Sequence, residues 1–383
     1  MGRNLLIAIT LIVSSFSESM VEKASSNWIV NPGALTTFFD QLQHLQSEKE
    51  GIVSIVHIGD SHVQADFFSG TVRKNLQNRF GNAGRGFVFP YKIAMSGGAL
   101  DVRFRYSGNW QYCNIMRNAD VCNLGAAGFT LTSSPNSTFV LDVISKAETD
   151  AAFNKITLLD YYGSFLPSQV IGDFEPQRVN DRTVIYFDEF QDSLEFKPLY
   201  EGNMRPELQG LVLENGLPGV LYHAMGVNGS STTQYLKSNG FEKQIRELSA
   251  DLVIISFGTN DSYVPTGNFS AQRVKERYRT LITRLRTENP SISILLTTPP
   301  DHYYKRKYSS KNVPKLVDAL YELAAEEGVA IWDFYHVMGG ENSILTWKSE
   351  GNARGDLVHF TQEGYIKQGN LLYEALMGHF TTR

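Results

Sequence analysis

Cysteine is nearly missing: the 383 residues hold two, Cys113 and Cys122. This pair has too few ligands for a metal site, so no metal is expected. An oxidising compartment would let the two pair, closing a short loop for roughly 2–3 kcal/mol; the alternative is two free thiols. A dominant charge sign is missing too. Lys and Arg number 35 against 40 Asp and Glu, a formal net charge of −5. No Lys/Arg-rich stripe interleaved with aromatics stands out, so nucleic acid is not an expected partner. No Walker-type phosphate loop, His-Glu-x-x-His or dinucleotide fingerprint occurs, and no cofactor is expected. No apolar run is long enough to span a bilayer, so the mature chain is expected to have no membrane span.

What is present begins with an address. Arg3 supplies a positive start, Leu5 to Val13 a short apolar run, and Ser15 and Ser17 small residues for cleavage. That pattern predicts a signal peptide over residues 1–19 and an exported protein of the periplasm or cell envelope. The alternative is an N-terminal helix retained in the fold. No Cys follows the apolar run to take a lipid anchor.

The remaining chain, 42% apolar and 20% charged overall, has the composition of a globular protein. Its length favours two domains or one elaborated one. Asn31-Pro32 predicts a helix cap and first helical residue. Leu35, Phe38, Phe39, Leu42 and Leu45 follow at helical spacing. Ile52–Ile58 is a β-branched run closed by Gly59, hence a buried strand. From about Tyr91 to Pro218 short Val-, Ile-, Phe- and Tyr-rich segments alternate with turn residues, which predicts an inserted β-sandwich. Trp110, Tyr112, Tyr161 and Tyr162 within it are either a sugar-stacking platform or ordinary packing. Strand–helix alternation resumes at Val220 and runs to the C-terminus. The expected domains are therefore 20–90 and 219–383 for one α/β unit, with 91–218 inserted. Repeated β–α units imply a parallel sheet between helices, with a binding crevice at the carboxyl ends of its strands.

Chemistry-bearing residues collect at those ends. Ser61 follows the first strand in Gly59-Asp60-Ser61-His62, Gly229 lies in a Gly-rich loop, and Asn260 follows the Leu252–Phe257 strand. A serine nucleophile needs a positioned base. Asp356 and His359 are three apart, a spacing that lets the carboxylate hold imidazole Nδ1 while Nε2 faces out. The N–H groups of Ser61 and Gly229 and the Asn260 amide could receive an oxyanion. Singly, each has a plainer reading as a cap, a turn or an Asx-turn. His62 and Asp60 are candidate cleft residues, and Asp60 and Asp261 are expected to hold their turns. His57 is expected to be a satisfied core residue, whereas His223 and His302 are candidates for lining the cleft.

In order, Gly59-Asp60-Ser61, Gly229, Gly258-Thr259-Asn260-Asp261 and Asp356-Leu357-Val358-His359 resemble the four blocks of the SGNH (GDSL-like) hydrolases. That resemblance implies a flavodoxin-like three-layer α/β/α fold. It also implies Ser61 as nucleophile, His359 as base, Asp356 as its orienter, and Ser61, Gly229 and Asn260 as oxyanion donors. The Gly-Asp-Ser-His form and the position of the β insertion resemble the peptidoglycan O-acetylesterases, whose inserted module is carbohydrate-binding-module-like. An esterase removing O-acetyl groups from a glycan, with peptidoglycan favoured, is the function this implies. Acetylated plant polysaccharide, O-acetyl transfer, a lipid esterase or thioesterase, and a glycan-binding protein on an inactive scaffold are the alternatives.

Overall fold

The computed structural model describes residues 27–144, 152–160, 163–200 and 205–382. The expected signal peptide lies outside them, as do Tyr161 and Tyr162. No helix among the described residues is long and apolar enough to cross a membrane.

Six strands form the central sheet: β1 (Ile29–Val30), β2 (Ile52–Gly59), β3 (Gly219–Gly226), β4 (Leu252–Ser256), β5 (Ser293–Thr297) and β6 (Ala330–Trp332). Their order is β1-β6-β5-β4-β2-β3, parallel throughout except for the antiparallel edge strand β1. Without β1 this is the flavodoxin strand order, in which the chain reverses direction across the sheet at the first strand. Here that switch falls between β2 and β4, so the residues following these two strands flank the crevice.

Both faces of the sheet are covered, which is why its strands are apolar runs rather than alternating ones. Val53 and Ile55 of β2 pack with α1 (Thr36–Glu48), α2 (Phe67–Phe80) and α5 (Gln362–Phe380). Val56 and Ile58 face α3 (Ala271–Glu288) and α4 (Asn312–Glu327). The three-layer α/β/α fold follows from these two faces. One local expectation is corrected at its entry. Asn31 is left-handed, at φ 55°, and its side chain donates to the Val329 carbonyl (3.0 Å) instead of capping a helix. The chain makes a 3₁₀ turn over Pro32–Leu35 before α1 begins.

Among the described residues between α2 and β3 lie three antiparallel sheets of five, four and three strands, spanning Gly86–Val88 to Leu211–Glu214. Their apolar residues merge with the α3/α4 face: Phe87, Leu211 and Val212 share one cluster with Leu221, Met225 and Val227. Arg73 and Arg85 bridge Asp66 and Asp101, tying the start of this region to α2. Trp110 stacks on Phe165 (6.1 Å) and contacts Phe139, so its ring is part of the packing. Cys113 and Cys122 are paired across a nine-residue separation. Replacing both by Ser is expected to cost roughly 2–3 kcal/mol in urea unfolding; an unchanged midpoint would show that the closed loop does not limit the unfolded chain.

Candidate active site

The β2 strand ends at Gly59, where a Cβ would lie 2.5 Å from Val63 Cγ2 and 2.7 Å from the Ser256 carbonyl. Only glycine lets the nucleophile turn sit this close to β4. Asp60 caps the short helix Ser61–Gln64 by accepting the His62 N–H (3.0 Å), which leaves the Ser61 hydroxyl free for other work. Ser61 Oγ is 3.0 Å from His359 Nε2, and His359 Nδ1 is 2.9 Å from Asp356 Oδ2. The other Asp356 oxygen accepts the N–H groups of Val358 and His359, both at 3.0 Å. Partial burial raises the Asp356 pKa, but these hydrogen bonds outweigh it and hold the carboxyl below its ordinary range. It stays ionised and fixes which imidazole nitrogen faces Ser61. The sequence spacing of three is realised in a tight loop just ahead of α5, with Leu357 at φ 58°.

Ser61, Asn260, Asp356 and His359 line one cleft of about 570 Å³, together with Thr259, Tyr263, Lys305, Arg306 and Val358. Gly229 does not line this cavity; it sits in an exposed left-handed turn at φ 76°. The N–H groups of Ser61 and Gly229 have no hydrogen-bond partner among the described residues. The Asn260 amide donates to the Ser230 carbonyl (2.9 Å) and, at 3.3 Å, to Asp60 Oδ2. Its hold on Ser230 places it one residue from Gly229. To donate to an oxyanion, the amide has to share or release the longer contact, the one to Asp60.

The remaining sequence candidates are behind the cleft. Asp60 is buried; burial pushes its carboxyl up to about 7 against the His62 hydrogen bond, and repulsion from Asp261 adds to the rise. Asp261 accepts the N–H and hydroxyl of Thr232. His62 is 5% exposed, with Nδ1 3.1 Å from the Tyr365 hydroxyl, and its ring stacks on His359 at 5.5 Å. Burial first, then the nearby His359 and His302, push its pKa well down. His62 therefore backs the triad as a neutral ring. His57 is satisfied by Tyr222 and Ser256, as a core histidine. His223 and His302 are fully buried and do not line the cleft, because β3 turns His223 toward the inserted sheets and His302 is behind Tyr263.

The Asp60 value carries a stability consequence. In the unfolded chain this carboxyl ionises near its ordinary range, while in the folded protein it keeps its proton up to about 7. Between those values the native state binds more protons, so stability falls as pH rises from about 4 to about 7. Asp60→Asn is expected to flatten that part of a urea-midpoint profile; an unchanged slope would place the titration elsewhere.

Two groups of residues escaped the sequence reading. Gln64 is buried, donates to Ser96 Oγ (2.7 Å) and accepts the Asn228 N–H. It joins the Gly229 loop to the inserted region, and a Gln one turn after the serine was the available signal. The run Tyr303-Tyr304-Lys305-Arg306-Lys307-Tyr308 is the basic, aromatic-flanked patch that the composition did not reveal, and it forms a hairpin at the cleft.

Residues 200–366 match the GDSL-like Lipase/Acylhydrolase family. That segment is the part of the chain that is GDSL-like acylhydrolase in sequence. The match takes in Gly229, Asn260, Asp356 and His359, while Ser61 falls before it, separated by the inserted strands. The acylhydrolase chemistry is that of a carboxylic ester hydrolase. A solved peptidoglycan O-acetylesterase is 23% identical, with a TM-score of 0.73 over 93% of this chain and 99% of its own. The fold is thus shared over nearly the whole length, inserted sheets included. A lipase/acylhydrolase from Enterococcus faecalis is 24% identical over 43% of this chain and 79% of its own, with a TM-score of 0.34. An acetyl xylan esterase is 20% identical over 41% and 81%, with a TM-score of 0.33. No curated protein sequence matches the chain.

Proposed function

We propose that this GDSL-like acylhydrolase is an exported serine esterase that removes O-acetyl groups from a glycan, with peptidoglycan the favoured substrate. The observation that carries the reading is the unbroken line of hydroxyl, imidazole and carboxylate, at 3.0 and 2.9 Å, opening on a cleft. His359 Nε2 takes the Ser61 proton as Oγ attacks the acetyl carbonyl. The oxyanion is received by the N–H groups of Ser61 and Gly229 and by the Asn260 amide. The carbon–oxygen bond to the sugar then breaks, and the leaving alkoxide takes its proton from His359. Water, deprotonated by the same imidazole, hydrolyses the acetyl-enzyme to acetate and restores Ser61.

The choice of glycan is supported by the full-length similarity to a peptidoglycan O-acetylesterase. On this reading residues 20–90 and 219–383 do the chemistry, and 91–218 helps present the polymer. The test is acetate release from O-acetylated peptidoglycan against acetylated xylan. Faster release from peptidoglycan is expected. A preference for xylan would reassign the substrate, and transfer of acetyl to an added muropeptide faster than to water would make the protein a transferase.

A further inference from the structure

We propose that Lys305 and Arg306 form a carboxylate-binding subsite of the cleft, selecting acetylated glycans that carry acidic groups near the ester. The proposal rests on the esterase reading and goes beyond it by naming the chemistry that substrate must offer.

Both residues line the cavity that also holds Ser61, Asn260, Asp356 and His359. Both are exposed, and neither forms an ion pair among the described residues. Lys311 and Lys367, on nearby elements, are neutralised by Glu341 and Glu350. The acid bordering the same cavity, Asp356, is already engaged by His359. The cleft therefore presents two uncompensated cations in a chain whose net charge is −5. An acidic polymer is repelled by the protein as a whole and attracted at this point.

The two cations are held in place. They sit at the tip of a hairpin whose strands, Tyr303–Tyr304 and Tyr308–Ser309, pair antiparallel. The Tyr303 N–H donates to the Leu357 carbonyl at 2.9 Å, so the hairpin is bonded to the loop that carries Asp356 and His359. The Lys305 N–H donates to the Tyr263 hydroxyl (3.0 Å), and the Tyr263 and Tyr304 rings meet at 5.1 Å. Lys305 Nζ lies 5.3 Å from the Tyr304 ring centre. The Lys307 N–H returns to the Tyr304 carbonyl, closing a turn whose central residues, Lys305 and Arg306, have φ of 52° and 60°. Asn-Gly is the pair such a turn favours. The chain instead places a Lys and an Arg there, at the edge of the reaction cleft. A guanidinium and an ammonium side by side suit a carboxylate, which can accept from both.

The experiment uses the double variant Lys305→Asn/Arg306→Gly, which suits the turn better than the native pair and so preserves folding. Acetate release is compared on p-nitrophenyl acetate, on neutral O-acetylated chito-oligosaccharide and on O-acetylated muropeptide bearing free carboxylates. On the muropeptide KM is expected to rise about tenfold with kcat nearly unchanged. The other two substrates are expected to respond little, and added salt should raise the native enzyme's muropeptide KM alone. A second arm measures binding of a muramic-acid disaccharide and of its methyl ester to Ser61→Ala by calorimetry, which reads the subsite without turnover. Preference for the free acid, lost when the double change is added, supports the subsite. Equal binding of acid and ester, or equal KM changes on charged and neutral glycans, overturns it. Failure of the native protein on all three esters, with acid-selective binding kept, would overturn the esterase reading while leaving the anion subsite standing.

Discussion

Ser61→Ala is expected to lower kcat for acetate release by about 10⁴-fold or more. The hydroxyl is the atom that faces His359 Nε2 at 3.0 Å, and among the described residues no second hydroxyl is hydrogen-bonded to that nitrogen. The substitution removes the attacking oxygen yet leaves the imidazole oriented by Asp356 and the oxyanion donors in place. What activity remains is water attack assisted by those groups. Folding is expected to survive, because Asp60 rather than Ser61 caps the short helix. Matched circular dichroism and urea midpoints would confirm that the loss is chemical. A variant rate within tenfold of the native one would remove Ser61 from the nucleophile role.

The second large effect belongs to Asn260. Asn260→Ala is expected to lower kcat by about 10²–10³-fold, with KM much less affected, because an oxyanion donor acts only once negative charge has developed. The amide also holds the Ser230 carbonyl, so the loop carrying Gly229 loses one anchor. Gln64, bonded to the Asn228 N–H, and the Tyr91 hydroxyl, bonded to the Gly226 carbonyl (3.1 Å), still hold that loop. The loss is therefore dominated by the missing donor. A rise confined to KM would place Asn260 in substrate binding and leave the oxyanion to the two backbone groups.

Much of the hydrolase frame was legible because it is local. The apolar runs of Ile52–Gly59, Leu252–Ser256 and Ser293–Thr297 announce strands covered on both faces, and the periodic runs after them announce helices. Asp356 and His359 were legible for the same reason, since a gap of three residues nearly determines whether a carboxylate can reach an imidazole. Asn31 does not act as a helix cap because its side chain finds the Val329 carbonyl, a partner 298 residues away. His223 and His302 were equally unreadable: which face of a strand or loop a histidine takes depends on what packs there. The independence of the inserted strands was also beyond periodicity, since Phe87 and Leu211 share their core with Leu221 and Met225.

The sequence by itself determined the order of the parallel strands along the chain, the serine at the end of Ile52–Gly59, and the Asp-x-x-His pair ahead of the last helix. These follow from apolar period, turn chemistry and short spacing, all of which act within a few residues. Only the tertiary structure decided that Ser61 meets His359 across 298 positions, that His62 stacks behind the base, and that Lys305 and Arg306 open onto the cleft. The reason is physical: a parallel sheet gathers the carboxyl ends of distant strands at one rim, and which side chains face one another there is set by sheet order and packing.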